Sequence, residues 1–240
     1  MIVRFLLCLC CISVFGADIE AVQRKISAMI QTADKALASG QIAAAEDGYK
    51  SAIRECDSLP PDKYHCKTDG LWKLARLYSH EKDAATAELV YKERLAILLA
   101  HQEPSDRPDL DIGIALFDLQ SVLDAADLNS EARDAEALSY MEQARSFYEQ
   151  CKARFPDLWK TCDRRLADVE GTHGTVLALK KHFDEAQPFL KLVIDRPDSG
   201  VRADVMISAL VSYSKILISR SQSAEAQQLI DRAKRLSAQK

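Results

Sequence analysis

The 240-residue sequence predicts an all-α fold built from repeated pairs of helices. Two observations lead to this prediction. The chain contains only 8 Gly and 7 Pro, so turns are few and long helices are expected. A pattern of small and apolar residues spaced i, i+4 and i+7 also recurs along the chain, and this spacing places the residues on one face of a helix. Apolar residues make up 48% of the chain and charged residues 28%, a balance typical of folded proteins.

The first 16 residues have the layout of a secretory signal peptide. Arg4 supplies a short positive segment, and residues 5–15 form an uninterrupted apolar run. This run is shorter than the roughly 20 residues that span a bilayer. Cleavage is expected between Gly16 and Ala17. The mature chain, residues 17–240, is then a single repeat domain without a stable membrane span, located in a periplasm or outside the cell.

Two alternatives to cleavage at Gly16 remain open. The segment could be retained as an anchor, although its length disfavours this. It could also be a lipoprotein signal, since it contains three cysteines, Cys8, Cys10 and Cys11. The lipoprotein pattern requires a small residue before the modified cysteine, and neither Leu9 nor Cys10 meets that requirement.

The repeat occupies residues 22–238 in five copies. In each copy the second helix is marked by a triplet at i, i+4 and i+7: Ala45/Tyr49/Ala52, Ala87/Tyr91/Arg94, Ala137/Met141/Ala144, Ala186/Leu190/Val193 and Ala226/Ile230/Ala233. An amphipathic helix precedes each triplet, most clearly over residues 71–79. Copy three fits less well than the others because residues 125–135 form an insertion. A plain up-down helical bundle is the alternative, but the recurring phase favours a repeat.

The best copy resembles the tetratricopeptide repeat (TPR) in its residues Leu71, Leu74, Ala75, Tyr78, Ala87 and Tyr91. Arg94 departs from the final Ala of that family pattern. Successive marker alanines lie 42, 50, 49 and 40 residues apart, more than the roughly 34 residues of the ordinary repeat. The longer spacing resembles the kinesin-light-chain-like subgroup. The resemblance implies a right-handed α-solenoid of about five helix-turn-helix TPR-like pairs.

Four cysteines follow the predicted signal segment: Cys56, Cys66, Cys151 and Cys162. An even number in an exported protein suggests disulfides. Cys56 and Cys151 occupy the ends of second helices, and Cys66 and Cys162 lie near the starts of the next copies. The repeat therefore favours the pairs Cys56–Cys66 and Cys151–Cys162. Four buried free thiols are the alternative, and the absence of a CxxC motif after the signal segment disfavours a zinc site.

No sequence motif of an enzyme is present. HExxH, GxSxG, GxxxxGK[ST] and GxGxxG do not occur, and the five histidines are scattered. We therefore expect no catalytic residue, no cofactor and no metal site. A nucleophile role for Cys162 with His173 is possible but disfavoured, since nothing supplies an oxyanion site. The net charge of −4 disfavours nucleic-acid binding.

The TPR resemblance also implies where a partner would bind. Stacked pairs of this family form a groove lined by their first helices. The positions that face the groove in this family correspond, in this chain, to the candidate partner-binding residues Asp34, Trp72, Arg76, His80, Phe117, Ser121, Asp124 and Lys215. Thr175 is a further candidate in a less certain register. Trp72 and Phe117 could instead pack between neighbouring repeats. Ile30 and Asp34 stand where chaperone-tail binders carry Lys and Asn, so a carboxylate clamp is not expected.

The functional hypothesis is an exported, non-catalytic, TPR-like scaffold that binds a protein or peptide segment in its groove. The alternative is a structural subunit of a cell-envelope assembly, joined through the ends of the solenoid.

Overall fold

The computed structural model describes residues 2–101, 108–126, 131–197 and 200–238; the side chains of residues 2–17, 108, 124–126 and 131 are outside that description. All regular secondary structure in these ranges is helical. The α-helices are α1 Ile2–Ala38, α2 Ile42–Cys56, α3 His65–His80, α4 Ala84–Ala100, α5 Pro108–Ala126, α6 Glu131–Arg154, α7 Trp159–Leu179, α8 Phe183–Ile194, α9 Ala203–Ser219 and α10 Ser223–Ser237, with a 3-10 turn at Pro61–Lys63. They form the five predicted pairs. Helix α6, which has 24 residues, contains part of the predicted insertion.

The chain divides into two compact units. The first comprises residues 1–102 with 125–128 and contains α1–α4. The second comprises residues 103–124 and 129–240 and contains most of α5 together with α6–α10. Within the units, first helices pack against the second helices of their own pairs, as α1 does on α2, and α2 packs against α3 and α6 against α7 to join successive pairs. The single repeat domain over residues 17–240 stays a prediction.

The predicted triplets form the interior of the pairs. Every member is buried apart from Ile230, which is partly buried. Small residues allow the two helices of a pair to approach closely. A Cβ atom added at Gly48 of α2 would lie 2.8 Å from Cβ of Ala33 in α1, and one at Gly174 of α7 would lie 2.8 Å from Cγ of Leu190 in α8. The small and apolar residues that the sequence pattern places on one helical face are therefore the residues that pack between the helices.

The turn between first and second helix is the same in four of the pairs. One residue adopts a left-handed conformation with φ between 62° and 73°: Gly40, Lys82, Lys181 or Ser221. The amide of the next residue then donates a hydrogen bond of 2.9 Å to a carbonyl five residues earlier, in Ala36, Tyr78, Leu177 or Leu217. This geometry satisfies a carbonyl at the helix end that has no partner within the helix. Among these four turns, only the first has glycine at the strained position.

The predicted signal segment falls within α1, which is continuous from Ile2 to Ala38. Its side chains lie outside the described residues, and cleavage after Gly16 remains a prediction. Among the described residues, no helix is both long enough and apolar enough to cross a bilayer.

Candidate functional site

The first unit contains a groove between its first helices, with a volume of about 430 Å³. We call it the α1–α3 groove. Both helices contribute to its walls, and α2 closes one side. Its lining residues are Asp34, Leu37, Gly40, Ile42, Tyr49, Trp72, Lys73, Arg76, Leu77 and His80. Four predicted partner-binding residues, Asp34, Trp72, Arg76 and His80, thus lie in one depression of the surface.

Asp34 forms the charged base of this groove. Its Oδ1 accepts hydrogen bonds from the phenol of Tyr49 at 2.6 Å and from Lys73 Nζ at 2.9 Å, and Lys73 also donates to Oδ2 at 2.7 Å. Burial raises the pKa of Asp34, but the hydrogen bonds from Lys73 and Tyr49 outweigh it, so the pKa lies below its usual value. Asp34 is therefore an ionised carboxylate whose charge Lys73 balances.

Trp72 and Arg76 form one wall of the groove. They lie one turn apart on α3, with the Arg76 guanidinium 4.7 Å from the centre of the indole ring. Arg76 is exposed, whereas Trp72 is half-buried. Among the described residues no carboxylate pairs with the Arg76 guanidinium. His80, on the next turn, is exposed and lies 3.0 Å from Glu81 Oε1 through its Nδ1. The wall combines a flat apolar surface with an unneutralised cation, which is a combination common in interface anchors.

The second unit has its own groove, lined by the first helices of three successive pairs and with a volume of about 410 Å³. We call it the α5–α9 groove. It is lined by Phe117 and Ser121 of α5, by Gly171, Thr172, Thr175 and Val176 of α7, and by Arg202, Asp204, Val205 and Ser208 at α9. The predicted residues Phe117, Ser121 and Thr175 all belong to it.

A buried carboxylate, Asp168, lies next to Arg202 of the α5–α9 groove. Asp168 precedes Gly171 and Thr172 by one turn of α7 and is 2% exposed. Neither carboxylate oxygen accepts a hydrogen bond from the described residues. Arg165 and Arg202 approach Oδ2 only to 3.8 and 3.9 Å. Burial raises the pKa of Asp168, and the two arginines oppose this only in part. An ionisable group left without hydrogen bonds in this way is a marker of a functional site.

Two other residues were predicted to bind a partner, Lys215 and Asp124. Lys215 is exposed on α9 and does not line the grooves described above. The side chain of Asp124 lies outside the described residues, although its backbone belongs to α5. Their roles remain predictions.

The cysteines form the two pairs that the repeat favours. Cys56 is joined to Cys66 with Cα atoms 5.9 Å apart, and Cys151 to Cys162 with Cα atoms 6.0 Å apart. Each bridge connects the end of a second helix to the start of the next first helix. Cys162 consequently has no free thiol to act as a nucleophile. Within the described ranges, no three His, Cys, Asp or Glu side chains are grouped so that they could hold a metal ion.

His173 is a packing residue in this structure. Its ring is 4% exposed and stacks on Phe189 with centroids 4.2 Å apart. Burial lowers the pKa of His173, and Arg145 lowers it further. Glu142 and Glu185 act in the opposite direction but do not outweigh burial. The imidazole is therefore neutral near pH 7.

Sequence reasoning missed the polar residues Asp168, Arg202 and Asp204 of the α5–α9 groove. Arg202 binds Asp204 through two hydrogen bonds of 3.2 and 2.6 Å, and it belongs to the pair after the one that contains Asp168. One signal was available. Asp168 stands between the apolar residues Ala167 and Val169, both of which are fully buried, so a charged group in that stretch required an explanation.

Comparison with known structures shows the fold. BtubC (BKLC) from P. vanneervenii has 18% sequence identity, with 95% of this chain and 89% of that chain covered and a TM-score of 0.64. A putative kinesin light chain with nearly identical TPR-like repeats, from Podosopora anserina, has 14% identity, 90% and 96% coverage and a TM-score of 0.62. The Rap conjugation gene regulator of plasmid pLS20, in complex with the Phr* peptide, has 12% identity, 91% and 55% coverage and a TM-score of 0.53.

These similarities confirm an all-α, TPR-like helical-repeat fold of the kind found in kinesin-light-chain-like proteins. At such low identity they show the fold alone. No protein-family model matches the sequence. No curated protein matches it either.

Proposed function

We propose that this protein is an exported, non-catalytic scaffold that binds a protein or peptide segment in the α1–α3 groove. The observation that supports this most strongly is the Trp72–Arg76 wall. An indole face meets a guanidinium that pairs with no carboxylate of the described residues, in a groove that apolar residues also line. Aromatic and Arg side chains contribute a large share of the binding free energy in protein interfaces. The Rap regulator, which shares the fold, is known in complex with a peptide.

Two features support export to a periplasm or to the extracellular space. The first 16 residues have the layout of a signal peptide. The four remaining cysteines form two disulfides, which persist in oxidising compartments and are rare in the cytosol.

An affinity capture tests the binding proposal. The full chain, expressed with its export segment and recovered with its disulfides intact, is exposed to the envelope and secreted fractions of its source organism. The test variant combines Trp72→Ala with Arg76→Glu. We expect the wild type to capture a defined partner and this variant to lose at least about tenfold in affinity, which corresponds to 1.4 kcal/mol.

The chain offers a closely matched control. Trp159 on α7 is 49% exposed, and Lys160 Nζ lies 5.9 Å from the centre of its ring. The variant Trp159→Ala with Lys160→Glu therefore removes a similar aromatic–cation pair outside the groove. It should capture the partner as the wild type does. Equal capture by the α1–α3 groove variant would contradict the proposal.

A second candidate function is that of a structural subunit in a cell-envelope assembly. One observation favours it: the surface of the last pair has a mainly apolar depression of about 440 Å³, lined by residues that include Ile207, Val211, Ile230 and Ala233. Val211 is 37% exposed there. A second subunit placed on this surface would cover it. Sedimentation at increasing concentration tests the idea for self-assembly, since a persistent monomer would exclude it, and Val211→Glu should weaken any association that is observed.

A further inference from the structure

Side-chain oxygens that accept no hydrogen bond from the described residues lie in or beside the α5–α9 groove. Asp168 is buried, yet neither of its carboxylate oxygens accepts a hydrogen bond from the described residues. Thr175 lies two turns further along the same helix. Its Oγ1 is also buried and forms no hydrogen bond with the described residues. A buried carboxylate that accepts no hydrogen bond lowers the stability of the fold. Such a group is therefore a candidate for a role in binding.

The cations near Asp168 do not complete its coordination. Arg165 Nη1 and Arg202 Nη1 lie 3.8 and 3.9 Å from Oδ2, beyond hydrogen-bond distance. Arg202 uses its Nε and Nη2 for Asp204, at 3.2 and 2.6 Å. Its side chain is half-exposed, at 49%, and it lines the groove while lying next to the buried carboxylate. Arg202 is thus the residue that an incoming cation would displace from Asp168.

The remaining walls suit a long side chain that ends in a cation. Phe117, Val176 and Val205 supply apolar surface, which would pack against methylene groups. The missing side chain of Gly171 lets Val205 of α9 approach α7 closely, since a Cβ atom at Gly171 would lie 2.4 Å from Val205 Cγ1. The hydroxyl groups of Ser121, Thr172 and Ser208 line the same groove and could bond the backbone of a peptide.

We propose that the α5–α9 groove binds a Lys or Arg side chain of a peptide segment, with the ammonium or guanidinium group on Asp168 and the neighbouring hydroxyls on the peptide backbone. The cation replaces the distant contact of Arg202 with charge-assisted hydrogen bonds, and Arg202 stays paired with Asp204. This site lies in the second unit and does not depend on the proposed function of the α1–α3 groove.

Short blocked peptides test the assignment. The probes are fluorescein-labelled Gly-Ser-Arg-Ser-Gly and the same peptide with Lys, norleucine or Glu in the centre, and affinity is measured by fluorescence anisotropy with the full chain. We expect the Arg and Lys peptides to bind about tenfold more tightly than the norleucine peptide. The preference should fall below about threefold in Asp168→Asn, and Arg202→Gln should tighten binding of the Arg peptide because it removes the competing cation.

Controls separate this site from the rest of the molecule. Asp195→Asn changes an exposed carboxylate of the same unit and should keep the preference. The Trp72→Ala, Arg76→Glu variant should also keep it, so failure of one proposal is distinguishable from failure of the other. If Asp168→Asn does not fold, Thr175→Val is the second variant, because it removes a buried hydroxyl at nearly constant volume. It should weaken binding of the Arg peptide.

Three results would overturn the assignment. The first is a wild type that binds the norleucine and Arg peptides equally. The second is a preference that persists in folded Asp168→Asn. The third is competition by free argininamide as strong as that of the Arg peptide, which would show that the peptide backbone adds nothing.

Discussion

The phenol of Tyr49 donates a hydrogen bond of 2.6 Å to Asp34, and so joins the interior of the first helix pair to the α1–α3 groove. Tyr49 is 1% exposed, while Asp34 lines the groove and also binds Lys73. The hydrogen bond from the buried Tyr49 therefore helps to fix the orientation of the Asp34 carboxylate in the groove. A change at the buried Tyr49 should therefore alter Asp34 in the groove while the exposed groove residues stay in place.

Removing this hydrogen bond should weaken the fold in a pH-dependent way. We expect Tyr49→Phe to lower the free energy of unfolding by about 1–2 kcal/mol at pH 7. Because the pKa of Asp34 is lowered in the fold, its contribution is present above the usual value of 3.8 and is lost as pH falls through the folded pKa. In urea denaturation, the difference in free energy of unfolding between Tyr49→Phe and the wild type should be smaller at pH 3 than at pH 7. An equal loss for Tyr49→Phe in an Asp34→Asn background would show that the pair is not coupled.

The helix-pair turns predict a substitution that stabilises the protein. Lys181 has a φ of 64°, which costs a residue with a side chain about 1 kcal/mol or more. Lys181→Gly should therefore raise the free energy of unfolding by about 0.5–1 kcal/mol. Lys180, whose φ is −79°, is the matched control, and Lys180→Gly should be neutral or destabilising. Thermal and urea unfolding measure both changes.

The first turn supplies the reverse experiment. Gly40 has a φ of 73°, and a Cβ added there would meet nothing within 4 Å. Gly40→Ala therefore tests the backbone conformation alone, free of steric contact. It should destabilise the protein by about 1 kcal/mol. A neutral result would mean that the chain leaves the left-handed conformation at this turn.

Each disulfide should stabilise the protein through the unfolded state. The bridges close loops of 10 and 11 residues, for which the chain-entropy model gives about 2.7 kcal/mol each. We expect Cys56→Ser with Cys66→Ser, and separately Cys151→Ser with Cys162→Ser, to lose about that amount under oxidising conditions. The double variants should also be less sensitive to dithiothreitol than the wild type. A non-reduced peptide map that finds these thiols free would contradict the assignment.

His173 should make the stability depend on pH between 7.5 and 5.5. Its pKa is lowered in the fold from the usual 6.5, chiefly by burial, so the unfolded chain binds the proton first. The free energy of unfolding then falls as pH drops below about 6.5, by at most about 1.4 kcal/mol per pH unit. His173→Gln should flatten this dependence in urea titrations at pH 7.5 and 5.5. If the slope is unchanged, another group is responsible.

Much of the fold could be predicted because the repeat phase is a local property of the sequence. Ala45, Tyr49 and Ala52 are buried because residues at this spacing face the same neighbouring helix. The disulfide pairs followed from equivalent positions in different copies. The grooves were predictable in part, since first-helix positions such as Trp72 and Phe117 line them.

The polar architecture of the second unit was beyond sequence reasoning. Arg196 donates hydrogen bonds to the backbone carbonyl and carboxylate of Asp163 and to Glu170, across 26 to 33 residues of chain. Which charges meet depends on how one helix pair is rotated against the next, and the hydrophobic period does not determine that rotation to the accuracy of a hydrogen bond. Asp168 and Arg202 were missed for the same reason.

Neither disulfide joins the last helix pair to its neighbour. Non-covalent contacts connect α10 to α8, among them a hydrogen bond of 2.9 Å from Arg232 to the Ile194 carbonyl. Because each pair in a repeat array is supported mainly by adjacent pairs, local opening need not involve the whole chain. The amide protons of α9 and α10 should consequently exchange with solvent sooner than those of α6 and α7. The protein would thus lose its structure in stages, in an order set by where sulfur joins the helices.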